Sequence, residues 1–343
     1  MKYFKPIILL VVLMIVGIFS GVCASTVQDN NKEVNMGTQN TADTNNPVNG
    51  VKTIYVAKNG TDRNDGLTQA RPKRNIWSAI NAAKPGDIIR VAPGTYADNL
   101  QINKNITLIG NEQNNTLIDG QQKNNCIRIS SGITVTIKNF TLKNGNYHNT
   151  LQGGGIYNEG TLTLKDSTIT DNRANYGGGI YNIGAMNIKG VIIKNNIAKY
   201  NAGGIHNGGK DNCGTLTMED STITNNTSSG IAGGICNNEV ADMKNVTIRY
   251  NNATKDGGGI INNGELNLED STITNNIAGN EGGGIRNSNL LRVYGSTISY
   301  NIAKSGGGVY NSEVERVRAY IDDITVIVSN TPNNFQGTPL IPA

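Results

Sequence analysis

The sequence predicts an all-β protein: a right-handed, three-faced parallel β-helix of about nine or ten turns with a short N-terminal capping helix. Three observations carry that expectation. The phrase Gly-Gly-[Gly]-Ile-x-Asn occurs seven times, with Ala202 and Ala232 replacing the first glycine and Val309 the aliphatic residue; its asparagines fall at 158, 182, 207, 237, 262, 287 and 311, in steps of 24, 25, 30, 25, 25 and 24. A fixed period of this size marks a solenoid. A second phrase, Ile-x-x-Asn, keeps the same rhythm and ends at Asn172, Asn196, Asn226, Asn251, Asn276 and Asn301. The 42 Gly and 53 Asn among 343 residues favour turns and leave little for long helices.

Residues 1–24 read as a secretory signal: Lys2 and Lys5, then the apolar stretch Ile7–Phe19, then Val22-Cys23-Ala24 as a small-residue cleavage site. The mature chain is therefore expected to be secreted or held at the cell surface, with no transmembrane span. Without those two lysines it carries 28 basic against 26 acidic residues, a balance that gives no footprint for nucleic acid. Residues 25–50 are polar and almost free of aliphatic side chains, as a flexible linker would be.

Residues 51–110 are expected to form the N-terminal cap and opening turns. Thr53–Val56 alternates as a strand does, and Asn59–Gly66 is a polar turn cluster. Asn75–Lys84 places Ile76, Trp77, Ile80 and Ala83 at helical spacing before Pro85-Gly86. Such a helix would cover the open end of the stack, where apolar core and unpaired backbone would otherwise meet water. Short strands follow at Asp87–Val91, Asn99–Ile102, Ile106–Ile109, Thr116–Ile118, Cys126–Ile129 and Ile133–Ile137.

Residues 111–330 hold the array, with 331–343 as a C-terminal tail. Each repeat reads as three strands, in the first case at Ile156–Asn158, Leu162–Leu164 and Ser167–Thr170. Period-two alternation turns Ile156, Leu162, Leu164 and Ile169 inward and Tyr157, Thr163, Lys165 and Thr170 outward. Asparagines repeated at one corner can bond amide to amide along the axis, and the glycines suit a corner where backbones approach too closely for a Cβ. A phosphate-binding role for the glycines is disfavoured, because no Gly-Lys-Ser/Thr follows and no helix starts.

The candidate functional residues lie outside the barrel. The position after the internal Ile reads Tyr157, Tyr181, His206, Cys236, Ile261, Arg286, Tyr310. Its Tyr157, Tyr181 and His206 form the candidate ligand-binding column, with glycans or host or neighbour-cell proteins as partners; the plain alternative is side-chain stacking on a solvated face. Asp62, Asn64 and Asp65 are a weak calcium candidate that lacks the full ligand spacing of a known loop. No cofactor is expected. Asp166, Asp220 and Asp270 occupy one corner on alternate repeats, too far apart to share a calcium ion, and read as turn caps. Of the three remaining cysteines, Cys213 and Cys236 lie in successive repeats and could pair, leaving Cys126 free; the sequence leaves the pairing open. The 30-residue step adds a loop at Gly208–Gly214. Asn-x-Ser/Thr acceptors occur at Asn59, Asn105, Asn114, Asn139, Asn225, Asn226, Asn245 and Asn252.

The two repeat phrases together resemble the repeats of chlamydial polymorphic membrane proteins and of methanogen adhesin-like proteins. Ile54-Tyr-Val, Asn59–Gly66, Trp77–Lys84, Gly86-Asp87, Pro93–Tyr96 and Lys104–Gly110 are similar to the opening turns of pectin-lyase-like β-helix proteins. The resemblance covers about residues 51–330 and implies an exported, non-catalytic, adhesin-like protein. Its alternative is a polysaccharide lyase or glycoside hydrolase. Against that alternative, the histidines in Tyr147-His148-Asn149 and Ile205-His206-Asn207 do not stand in the Gly-His-Gly setting of a polygalacturonase.

Overall fold

The structure is a computed structural model and describes residues 50–146, 152–209, 214–314 and 317–342. The expected signal segment, and the linker up to residue 49, lie outside the described residues, as do His148 and Cys213. Among the described residues no helix is long and apolar enough to cross a membrane.

Alternating apolar residues close the chain into a parallel β-solenoid of about ten turns. Three long sheets run the length of the array. The first has twelve strands, from Thr53–Val56 through Thr161–Lys165 to Ile341–Pro342; the second has ten, from Gly94–Tyr96 through Thr168–Thr170 to Val326–Val328. The third has ten and carries the glycine phrase, from Leu100–Ile102 through Ile156–Asn158 to Phe335–Gly337. Pairing is parallel and in register from repeat to repeat, as where Ile156, Tyr157 and Asn158 meet Ile180, Tyr181 and Asn182. The inward residues Ile156, Leu162, Leu164 and Ile169 are all fully buried.

Three expectations need correction. Each regular turn also has a fourth element, a corner strand between the second and third sheets; five of these, from Arg173–Tyr176 to Ile277–Ala278, form a sheet of their own. The tail is not outside the array. Phe335–Gly337 pairs with Val309–Asn311, Ile341–Pro342 pairs with Tyr320-Ile321, and Phe335 and Leu340 pack against the core. The helix spans Ile76–Ala82 and buries Ile76, Ala79 and Ile80 against the first strands, but Trp77 is about half exposed.

Two asparagine ladders run along the solenoid, one at the end of the third sheet's strands and one between the second sheet and the corner strands. Asn158, 182, 207, 237, 262, 287 and 311 pass a hydrogen bond from each Nδ2 to the next Oδ1, at 2.7–2.9 Å. Asn172, 196, 226, 251, 276, 301, 330 and 334 do the same at 3.0–3.1 Å. In the second ladder each Oδ1 also accepts the backbone N–H of the preceding rung, as Asn226 does from Asn196. The second Nδ2 proton goes to an internal carbonyl, as from Asn226 to Ile193. Every polar atom is thus matched where water is excluded, which is the condition for a buried polar column to stabilise rather than destabilise. One consequence is that Asn226, a formal glycosylation acceptor, is fully buried.

The residues before the second ladder explain the corner's chemistry. Asp171, Asn195, Asn225 and Asn275 all have φ near +55°, a left-handed conformation that Asx residues tolerate best among those with a side chain. Asp166, Gly190, Asp220, Asn245, Asp270 and Gly295 occupy a second left-handed corner, so the aspartates there are turn residues, as expected.

Candidate functional site

Tyr157, Tyr181 and His206 do form a stack. Their ring centroids are 5.6 and 4.8 Å apart at interplanar angles of 8° and 5°, and the Arg128 guanidinium covers the free face of Tyr157 at 4.4 Å. Flat ring faces are therefore occupied by other rings or by Arg128, and only edges remain. Those edges are also covered: Tyr157, Tyr181 and His206 are each less than a tenth exposed. Cys236 and Ile261 continue the column and pack with Ala202 and Ala232 into a small apolar cluster outside the barrel. The column thus faces away from the main core yet is largely closed to solvent; at Ile261 the left-handed Gly257 turn lies directly against the side chain. What opens to solvent is a cleft lined by Gln152, Tyr176, Tyr181, His206, Asn238 and Glu239.

His206 is held neutral. Asn238 Oδ1 accepts from Asn263 Nδ2 at 2.9 Å, so Asn238 presents its Nδ2 to His206 Nε2 at 3.2 Å. Nε2 is then the acceptor, and Nδ1 carries the proton. Nδ1 is buried and has no hydrogen-bond partner. Burial pushes the imidazole down to about 4, with the Gly208 backbone acting weakly in the opposite direction. The folded value lies below the ordinary one near 6.5, so the folded state resists protonation. The stability this contributes is complete above about pH 6.5 and is lost as pH falls toward 4, by up to about 3 kcal/mol. The stability advantage of wild type over His206→Gln is therefore expected to shrink by about that much between pH 7.5 and 4 in urea unfolding. Parallel pH profiles would contradict this.

The calcium candidates are committed elsewhere. Asp62 Oδ1 accepts the backbone N–H groups of Arg74 and Asn75, and its Oδ2 accepts Asn75 Nδ2. Burial raises its pKa, but these hydrogen bonds outweigh that and hold the carboxyl below the usual range. Asp65 caps Leu67 N–H and pairs with Arg71, while Asn64 Nδ2 donates to the Pro72 carbonyl. The Lys73 ammonium donates to the Asp62 and Asn64 backbone carbonyls. Among the described residues no three His, Cys, Asp or Glu side chains gather closely enough to hold a metal ion. Among the described residues Cys126 and Cys236 form no disulfide; both are buried, and burial pushes each thiol up to about 12. The expected partner of Cys236, Cys213, lies outside the described residues.

A second concave surface was not legible at the level of single motifs. It runs along the corner strands and is lined by Asn144, Asn146, Asp171, Arg173, Asn195 and Thr227, among others. Its lining residues flank the second asparagine ladder, whose asparagines there, Asn172, Asn196 and Asn226, are fully buried. The signal for it in the sequence is the pair of residues flanking each ladder asparagine.

The class these features define is the parallel β-helix. No family model matches the sequence, and no curated protein matches it. Solved structures similar to it include pectate lyase Pel9A, at 18% identity and a TM-score of 0.46 over 84% of this chain and 80% of that one. A pectin methylesterase from carrot is similar at 11% identity and a TM-score of 0.36, covering 87% of this chain and 79% of that one. A rhamnogalacturonan lyase is similar at 13% identity and a TM-score of 0.34, with 84% of each chain covered. The assignment of the fold rests on this chain's own strand register.

Proposed function

We propose that this chain is an exported or cell-surface β-helix that acts by binding, in an adhesin-like role, and presents its outer faces to glycans or proteins of a host or neighbouring cell. The observation that carries the reading is how the outer charges are used. Lys189 pairs with Glu219 at 2.9 Å and with Asp220, Lys244 with Glu269 and Asp270, Arg128 with Glu159, Arg292 with Glu265, and Arg286 with Glu281. Exposed pairs of this kind add little stability each. They do leave these carboxylates each balanced by a neighbouring cation. Glu239, which lines the cleft, is in no ion pair among the described residues, and burial raises its pKa. It stands singly rather than as one of the two carboxylates that acid–base chemistry on a glycosidic linkage uses. His206, neutral and stacked, serves as a packing group. Fold analogy alone supplies no mechanism.

The cleft above Tyr181 and His206 is the candidate contact surface in the first half of the array. The purified chain is expected to be retained on a glycan array or on intact cells. Retention should fall when Tyr181→Ala removes one wall of the cleft. Equal retention by that variant would exclude the cleft, and no retention on any surface would contradict the binding role.

A further inference from the structure

The corner beside the second asparagine ladder admits an aromatic residue at two places where its pattern is Asx. Along the left-handed column the residues are Asp171, Asn195, Asn225, Tyr250, Asn275, Tyr300 and Ser329, all with φ between 54° and 56°. Asx side chains suit this conformation, whereas a bulky aromatic is strained in it. Yet Tyr250 and Tyr300 stand there, 52% and 59% exposed. Neither ring is buried in the core, and the Arg249 guanidinium lies 5.7 Å from the Tyr250 ring centroid. Local strain kept at a side chain that stays more than half exposed points to a role in contact with something outside the chain.

The neighbouring column shows the same change of character. From Asn146 to Thr331 it is continuous in register: Asn146, Arg173, Ile197, Thr227, Asn252, Ile277, Ile302, Thr331. Its first half lines the polar cleft. In its second half Ile277 and Ile302 are nearly half exposed, beside Tyr250 and Tyr300. Asn275 lies between the two tyrosines, its Nδ2 bonded to Thr274 Oγ1 at 2.9 Å. No residue of either column from Tyr250 onward is charged.

We propose that this corner, built on Tyr250 and Tyr300, binds an uncharged, extended polysaccharide lying along the long axis of the solenoid. The proposal rests on the binding role argued above and gives it a location and a ligand class. Tyrosines two turns apart are separated by about 10 Å along the axis. An extended chain of pyranose rings advances by about one turn spacing per ring, so alternate rings meet a tyrosine and the ring between meets Asn275. Aromatic faces take the apolar C–H face of a sugar, and amides and hydroxyls take its hydroxyl groups. The polar cleft of the first half continues the same track with hydrogen-bonding groups. In the aromatic half the two columns carry no acid or base of their own, and among the described residues the one cation at the rings is the Arg249 guanidinium at Tyr250. A single cation is not the row of cations that an acidic polymer's repeating carboxylates would need, which favours a neutral polymer.

The test uses the full chain and the double variant Tyr250→Asn/Tyr300→Asn, which restores the Asx pattern of the corner. Native affinity electrophoresis is run in gels containing β-glucan, xylan, glucomannan or polygalacturonate, with thermal unfolding in parallel. Wild type should be retarded by at least one uncharged polymer, and the variant should bind it roughly tenfold or more weakly while its Tm is equal or higher. The proposal is overturned if no uncharged polymer retards the chain, if only polygalacturonate does, if the variant is retarded like wild type, or if its Tm falls. Retention of another partner that survives in the variant would leave the binding role standing and this site excluded. Cleavage of the polymer would instead contradict the binding role itself.

Discussion

Asn226→Asp is expected to destabilise the solenoid by about 3–5 kcal/mol, whereas Asn225→Asp next to it should change stability by about 0.5 kcal/mol or less. The two substitutions are chemically identical and adjacent. Asn226 is a fully buried rung whose Nδ2 donates to Asn251 Oδ1 and to the Ile193 carbonyl, both at 3.0 Å. A carboxylate there cannot donate to either oxygen and places a charge against both. Asn225 is exposed, with φ of 55°, in a column where Asp171 already occupies the same conformation at 56°. The sign of the pH dependence follows. The buried carboxyl of the Asn226→Asp variant has a folded pKa above its unfolded value near 4, so its deficit is largest at neutral pH and narrows as pH falls toward 4. Urea unfolding of both variants at two pH values reads all of this. Equal effects at the two positions would remove the ladder from the account of stability.

The glycine corner yields the second large effect. Gly203→Ala is expected to cost about 2–3 kcal/mol, and Ala202→Gly to change stability by less than about 1 kcal/mol. A Cβ on Gly203 would lie 2.6 Å from both the Gly233 carbonyl oxygen and the Thr227 nitrogen. Both are backbone atoms of the next turn, so neither can move without breaking the pairing. Ala202 has φ of 59° and is buried; a glycine would relieve the strain while losing one methyl of the small outer cluster. Thermal unfolding of the two variants decides between a corner closed by steric contact and one that tolerates side chains. Similar melting temperatures would contradict the steric account.

Much of the fold could be read from the repeats because each conserved position of the phrase has one physical task. The internal isoleucines, the glycines and the final asparagines all sit where period, size and hydrogen-bonding capacity place them. The corner strands escaped notice because several are only two residues long, as at Asn252-Ala253, too short to show alternation. The burial of Tyr157, Tyr181 and His206 was hidden for a different reason. Strand alternation tells which residues leave the barrel, but how far they are then covered is a three-dimensional feature. Tyr250 and Tyr300 stood in the variable position of Ile-x-x-Asn. They become conspicuous only when that position's backbone is known to be left-handed, since only then is an aromatic residue costly.

Binding without cleavage is the central claim, and an end-group assay tests it most directly. The full chain is incubated with neutral and acidic polysaccharides, and reducing ends and unsaturated ends are followed over time alongside polymer retention. The account predicts retention with no growth of either kind of end. Time-dependent new ends, abolished by a single carboxylate substitution on the outer face, would contradict it.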